Sequence, residues 1–139
     1  MEARVKWVEN AAFIAETGSG HAIVVDGPAE IGGRNLGPRP MELMLLSVGS
    51  CSAVDIVHIL KKARQPVADV EVKVSGTRAE TDPKVFTKIH LHFVVSGKGL
   101  SENQVKRAVD LSAEKYCSAS IMLQKACEVT HGYELRQIE

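Results

Sequence analysis

An excess of charge of either sign is missing from this sequence: Lys plus Arg number 17, and so do Asp plus Glu. No basic field gathers nucleic acid or anionic lipid, so the expected partners are neutral small molecules and protein surfaces. A net charge near zero also removes one barrier to self-association. An apolar leader is missing too. MEARVKWVEN carries charges where a signal peptide needs a hydrophobic run, and no stretch reads as a membrane span. The expectation is a cytoplasmic protein with no membrane and no nucleic-acid partner. Cysteine is scarce, at three residues. In a reducing compartment so few thiols are poor permanent staples; they bind metal, do redox chemistry or pack, and one of three is spare. No C-x-x-C or H-x-x-x-H pair occurs, and Gly32-Gly33 and Gly37 fit neither nucleotide-binding pattern. No cofactor and no metal is expected. Repeats, low-complexity tracts and linkers are also absent.

What is present suits one domain over residues 1–139, with 45% hydrophobic residues for a core and 24% charged residues for a surface. Residues 3–26 read as three short strands, with Thr17-Gly18-Ser19-Gly20 as a turn signal and Gly27-Pro28 closing the unit. Residues 29–40, rich in Gly, Pro and Arg, read as a surface loop next to a helix, a common place for site residues. From Met41 to Ala63 the chain is apolar on nearly every face and ends on Lys61-Lys62. A helix of this kind must be buried all round, and one small subunit would struggle to wrap it, so a partner chain is expected over part of it. Two strands follow in residues 67–97 around Thr81-Asp82-Pro83, a hairpin signature. Ser101 with Gln104 forms a capping box for a helix through Tyr116; a short helix follows Cys117, and EVTHGYELRQI closes as a strand. Strands grouped into hairpins around helices give an α+β fold with antiparallel sheets.

Cys51 lies among small residues, Ser47-Val48-Gly49-Ser50-Cys51-Ser52. It is either a packed small hydrophobe or an accessible thiol, activated if the helix breaks at Gly49 and leaves Cys51 in a new first turn. Asp55 and His58 share its helical face, but seven residues of helix separate Cys51 from His58 by about 10 Å, too far for a triad. A carboxylate at Asp55 would raise the thiol pKa. Asp55 and His58 are therefore expected as polar partners in a helix contact. Cys117 stands where one helical pattern stops and another starts, with Lys115 near enough to favour a thiolate; packing is the alternative. Cys127, in an apolar run, reads as structural. His90 and His92 point to one side of a strand and are expected to be solvated, since a metal site there would need scattered ligands.

Pro40-Met41-Glu42-Leu43 leading into Ser50-Cys51-Ser52, and Tyr116-Cys117-Ser118-Ala119-Ser120 some 66 positions after the first cysteine, resemble the OsmC/Ohr family. Ala3-Arg4-Val5-Lys6-Trp7 and the segment Leu111–Cys117 resemble its YhfA-like branch. The resemblance spans nearly the whole chain. It implies an OsmC-like fold with antiparallel sheets around two long central helices, and an intertwined homodimer with its sites at the interface. It also implies a peroxiredoxin-like thiol chemistry: Cys51 reduces an organic hydroperoxide, Cys117 resolves the product, and a thiol reductant reopens the disulfide. Family peroxidases add a glutamate and an arginine. Met41 stands at the glutamate's usual place, so Glu42 is the nearest substitute, and Arg39 or Arg34 of the adjacent loop supplies the arginine. A non-catalytic redox sensor or apolar-ligand binder on the same fold is the alternative, and an inert cysteine pair a third.

Overall fold

The computed structural model describes all 139 residues. The chain divides into two compact units, Met1–Met44 and Leu45–Glu139. In the first, strands β1 (Ala3–Glu9), β2 (Ala12–Thr17) and β3 (Ala22–Asp26) form an antiparallel sheet in that order, as the turn signals predict. Asp26, at the end of β3, is buried, and its carboxylate accepts the backbone N–H groups of Gly27, Arg34 and Leu36 at 2.9–3.2 Å. Those bonds pin the loop that follows, and hold its carboxyl below the ordinary range, the Arg34 N–H contributing most.

Helix α1 spans Pro40–Lys62. Arg39 precedes it as the capping residue, Pro40 takes the first helical position, and Glu42 turns its carboxylate back to the Arg39 N–H at 2.9 Å. The helix runs through Gly49 without a break. In the second unit its residues Val48, Gly49, Ser52, Ile56 and Leu60 form one buried stripe, while Leu46 and Val54 stay 60% and 69% exposed. Burial all round, as the composition predicts, is thus not achieved within one chain. By length and composition α1 also matches a membrane span, with mean hydropathy 1.9 over its most apolar window, contrary to the sequence expectation. Its stripe packs inside protein, and a core helix has the same profile.

The second sheet has the order β4-β5-β6, with β4 at Val67–Arg78, β5 at Phe86–Gly97 and β6 at Glu128–Gln137. The β4–β5 hairpin is antiparallel as expected. β6 is not: it runs parallel to β5, because the chain crosses over through helices before returning. The sheet is mixed rather than antiparallel. Its central strand buries Ile89, Leu91, Phe93 and Val95 on one face. Val74, paired with Leu91, lies on that face against Gly49 of α1, where an added Cβ would come within 2.8 Å of Val74 Cγ2. Helix α2 (Glu102–Leu111) is capped by Ser101, whose hydroxyl accepts the Gln104 N–H, and buries Val105, Ala108 and Val109. It passes into a widened π-type turn, Ser112–Tyr116, and then α3 (Ser118–Gln124). The expectation of two long helices holds for α1 alone, α2 having ten residues.

Candidate active site

The site is assembled by α1 and by the π-type turn. In an α-helix, Cys51 and Asp55 at i and i+4 share a face. The wider turn after α2 buries Ser112, whose carbonyl takes the Cys117 N–H at 2.8 Å and whose hydroxyl donates to Asp55 Oδ2 at 3.1 Å. Cys117 thereby becomes the N-cap of α3, its sulfur accepting the Ser120 N–H at 3.3 Å. The sulfurs of Cys51 and Cys117 and a carboxylate oxygen of Asp55 all lie within 4.8 Å of one another. Two thiols 66 positions apart in sequence are brought to one point. None of the three cysteines is joined in a disulfide in this structure.

The two sulfurs differ in surroundings. Cys117 is fully buried and takes the Ser52 hydroxyl at 3.2 Å. Burial pushes its thiol up; Ser52 and the Ser120 N–H pull down, the neighbouring Cys51 pushes up again, and the result is a raised pKa. Cys51 is half-buried, with the Ser118 hydroxyl 3.9 Å from its sulfur. Burial again pushes up, but the Ala119 N–H, the Cys117 thiol and the Ser118 hydroxyl outweigh it, and the Cys51 pKa is lowered against the opposing charge of Asp55. The pair therefore has one thiol that ionises more readily than an ordinary cysteine and one that ionises less readily.

The break at Gly49 does not occur, so Cys51 gains nothing from a helix start of its own; the N–H that favours its thiolate comes from α3. Nor do the small neighbours simply open space: Gly49 fits against Val74, and Ser50 donates back to the Leu46 carbonyl at 2.7 Å. Asp55 is a polar partner in a helix contact, as expected, through Ser112. His58 is exposed and with Asp55, Ile59, Arg107, Leu111 and Tyr116 lines a cavity of about 530 Å³ of mixed polar and apolar character. Lys115 lies over the Tyr116 ring, 5.4 Å from its centroid. Cys127 directs its thiol to the Leu123 carbonyl at 3.5 Å. His90 and His92 are half-buried and hydrogen-bonded to Thr130 and Glu134 at 2.7 and 3.0 Å, instead of solvated. In the first unit Arg39 and Glu42 are exposed, Glu42 occupied with capping, and Arg34 pairs with Glu9 at 2.8 Å. Sequence reasoning missed the hydroxyls of Ser52, Ser112, Ser118 and Ser120. The only hint was that serines flank both cysteines.

Fold and site together define a protein that presents a close pair of thiols between a long helix and the start of a short one. The family model for OsmC-like protein matches residues 32–132, and this chain belongs to the OsmC family. It is 52% identical over 135 residues to Protein YhfA of Escherichia coli, covering 97% of this chain and 98% of that one. A crystal structure of a hypothetical protein from Aquifex aeolicus matches with a TM-score of 0.87 at 35% identity, over 99% of this chain and 97% of the other. An organic hydroperoxide resistance protein OsmC from Legionella pneumophila matches in fold with a TM-score of 0.71 at 22% identity, over 96% and 95% of the two chains.

Proposed function

We propose that this protein reduces organic hydroperoxides in the cytoplasm, with Cys51 as the peroxidatic thiol and Cys117 as the resolving one. The Cys51 thiolate attacks the outer peroxide oxygen, the O–O bond breaks, and the alkoxide leaves and takes a proton to become an alcohol. Cys51 is left as a sulfenic acid. The Cys117 thiol then forms the S–S bond, and its proton leaves with the sulfenic hydroxyl as water. An external thiol reductant returns two electrons by exchange. The observation that carries this reading is the pair of sulfurs within 4.8 Å, the accessible one favouring its thiolate. Relatives named for organic hydroperoxide resistance share the fold. A second copy of the chain is assigned the uncovered face of α1.

The proximity of Asp55 to both sulfurs favours a second reading, since its charge opposes the thiolate: a redox sensor, or a binder of small apolar ligands, that does not turn over. Mass spectrometry after a stoichiometric dose of cumene hydroperoxide decides. The first reading expects one equivalent of cumyl alcohol, a Cys51–Cys117 disulfide, no reaction in Cys51→Ser, and a trapped sulfenic acid in Cys117→Ser. Thiols that stay unmodified would remove it; a disulfide that forms once and resists every thiol reductant would leave the sensor.

A further inference from the structure

We propose that Cys51, Cys117 and Asp55 form a binding site for a thiophilic divalent cation, zinc, in the reduced protein. Two thiols and a carboxylate are a soft-leaning donor set that suits zinc, and three protein ligands leave a fourth position open to water or an external thiol. In a tetrahedral site with bonds of about 2.3 Å to sulfur and about 2.1 Å to oxygen, donors lie roughly 3.6–3.8 Å apart. The three donor atoms here are already within 4.8 Å of one another, so closure needs only small side-chain movements. Cys51 and Asp55, at i and i+4, form a chelating pair on one helical turn, and Cys117 enters from the other side.

The surroundings resemble the outer layer of a metal site. Ser112 donates to one Asp55 oxygen and orients the carboxylate, while Ser52 and the Ser120 N–H donate to the Cys117 sulfur. Three groups that can each carry a negative charge face one another within 4.8 Å, a combination that a divalent ion relieves. Asp55 also lines the 530 Å³ cavity, which gives an ion a route in. Binding releases the thiol protons, and the metal occupies the same sulfurs that peroxide would oxidise.

The proposal does not depend on peroxide turnover, and its test is separate. Cobalt(II) chloride is titrated anaerobically into the reduced full-length chain, then displaced with zinc. One cobalt per chain is expected, with thiolate-to-cobalt charge transfer in the near ultraviolet and intense tetrahedral d–d bands. Both should be lost in Cys51→Ser, kept in Cys127→Ser, and shifted to at least about tenfold weaker affinity in Asp55→Asn. Stoichiometric zinc should also slow alkylation of Cys51 by iodoacetamide more than tenfold (roughly, as expected for a ligated thiolate). Absence of charge transfer in the wild-type protein, or an unchanged spectrum and affinity in Cys51→Ser or Asp55→Asn, overturns the site. Should Cys117→Ser fail to fold, the half-exposed Cys51 and Asp55 still decide. A chain that binds cobalt but ignores hydroperoxide loses only the catalytic reading; one that reduces hydroperoxide without binding cobalt loses only this one.

Discussion

At the scale of single residues, two chemically identical thiols are made different by a few donors. Cys51 sits where the Ala119 N–H and the Ser118 hydroxyl reach it, whereas Cys117 is sealed away from water with the Ser52 hydroxyl and one N–H. Ionisation should follow that order. In an alkylation series from neutral to alkaline pH, Cys51 is expected to react first, with its midpoint below that of an ordinary thiol, and Cys117 last, above it. Peptide mapping of the labelled protein checks this, and Asp55→Asn should move the Cys51 midpoint further down by removing an opposing charge. A Cys51 that labels no earlier than Cys117 would contradict the electrostatics described. None of this ordering is visible in the one-dimensional chain. Asp55 could be placed on the Cys51 face by helical spacing, but its closeness to Cys117 depends on a turn whose width no local pattern announces.

Elements are held by contacts that local patterns foretell unevenly. Ser101 with Gln104 is a helix-start signature that the folded chain uses as such, whereas the bond from the Arg39 N–H to the Glu42 carboxylate at the start of α1 was not foreseen. Gly49 is different: its role is set by Val74, on a strand more than twenty residues later. Gly49→Ala gains about 1 kcal/mol in helix propensity but forces a contact at 2.8 Å onto a stiff β-branched side chain. Overpacking of that kind costs about 1–3 kcal/mol. A net loss of stability is expected in urea denaturation, with Val74→Ala recovering part of it in the double variant. Asp26 gives a pH-dependent counterpart in the first unit. Its folded pKa lies below the unfolded value, so its contribution is complete above the ordinary carboxylate range. That contribution is lost as pH falls from there through the depressed native value. Asp26→Asn should lower the melting temperature at neutral pH and flatten this acid limb; an unchanged limb would show that the three N–H bonds contribute nothing.

For the whole molecule, the open question of contacts beyond one chain centres on α1. Leu46 and Val54 project apolar surface from a helix that buries only one stripe within the chain. Large exposed apolar patches signal association. Because the net charge is zero, little long-range repulsion opposes a second copy. A dimer at micromolar concentration is expected by light scattering, and Val54→Asp should shift it to monomer while leaving the circular dichroism of the fold intact. A wild-type monomer at that concentration would instead leave the uncovered face to another partner.

What the sequence by itself determined is local and periodic. It marked the three N-terminal strands, the long apolar helix, the hairpin and the capped second helix, and both thiol segments by their resemblance to the OsmC family. Alternation, capping and turn chemistry act over a few residues, so they are written where they act. Only the tertiary structure decided that β6 returns parallel to β5, that α1 passes Gly49 unbroken, and that Asp55 joins both sulfurs. These depend on how a crossover and a widened turn bring remote segments within a few ångströms. Such distances are fixed by packing of the whole chain, and no spacing along it records them.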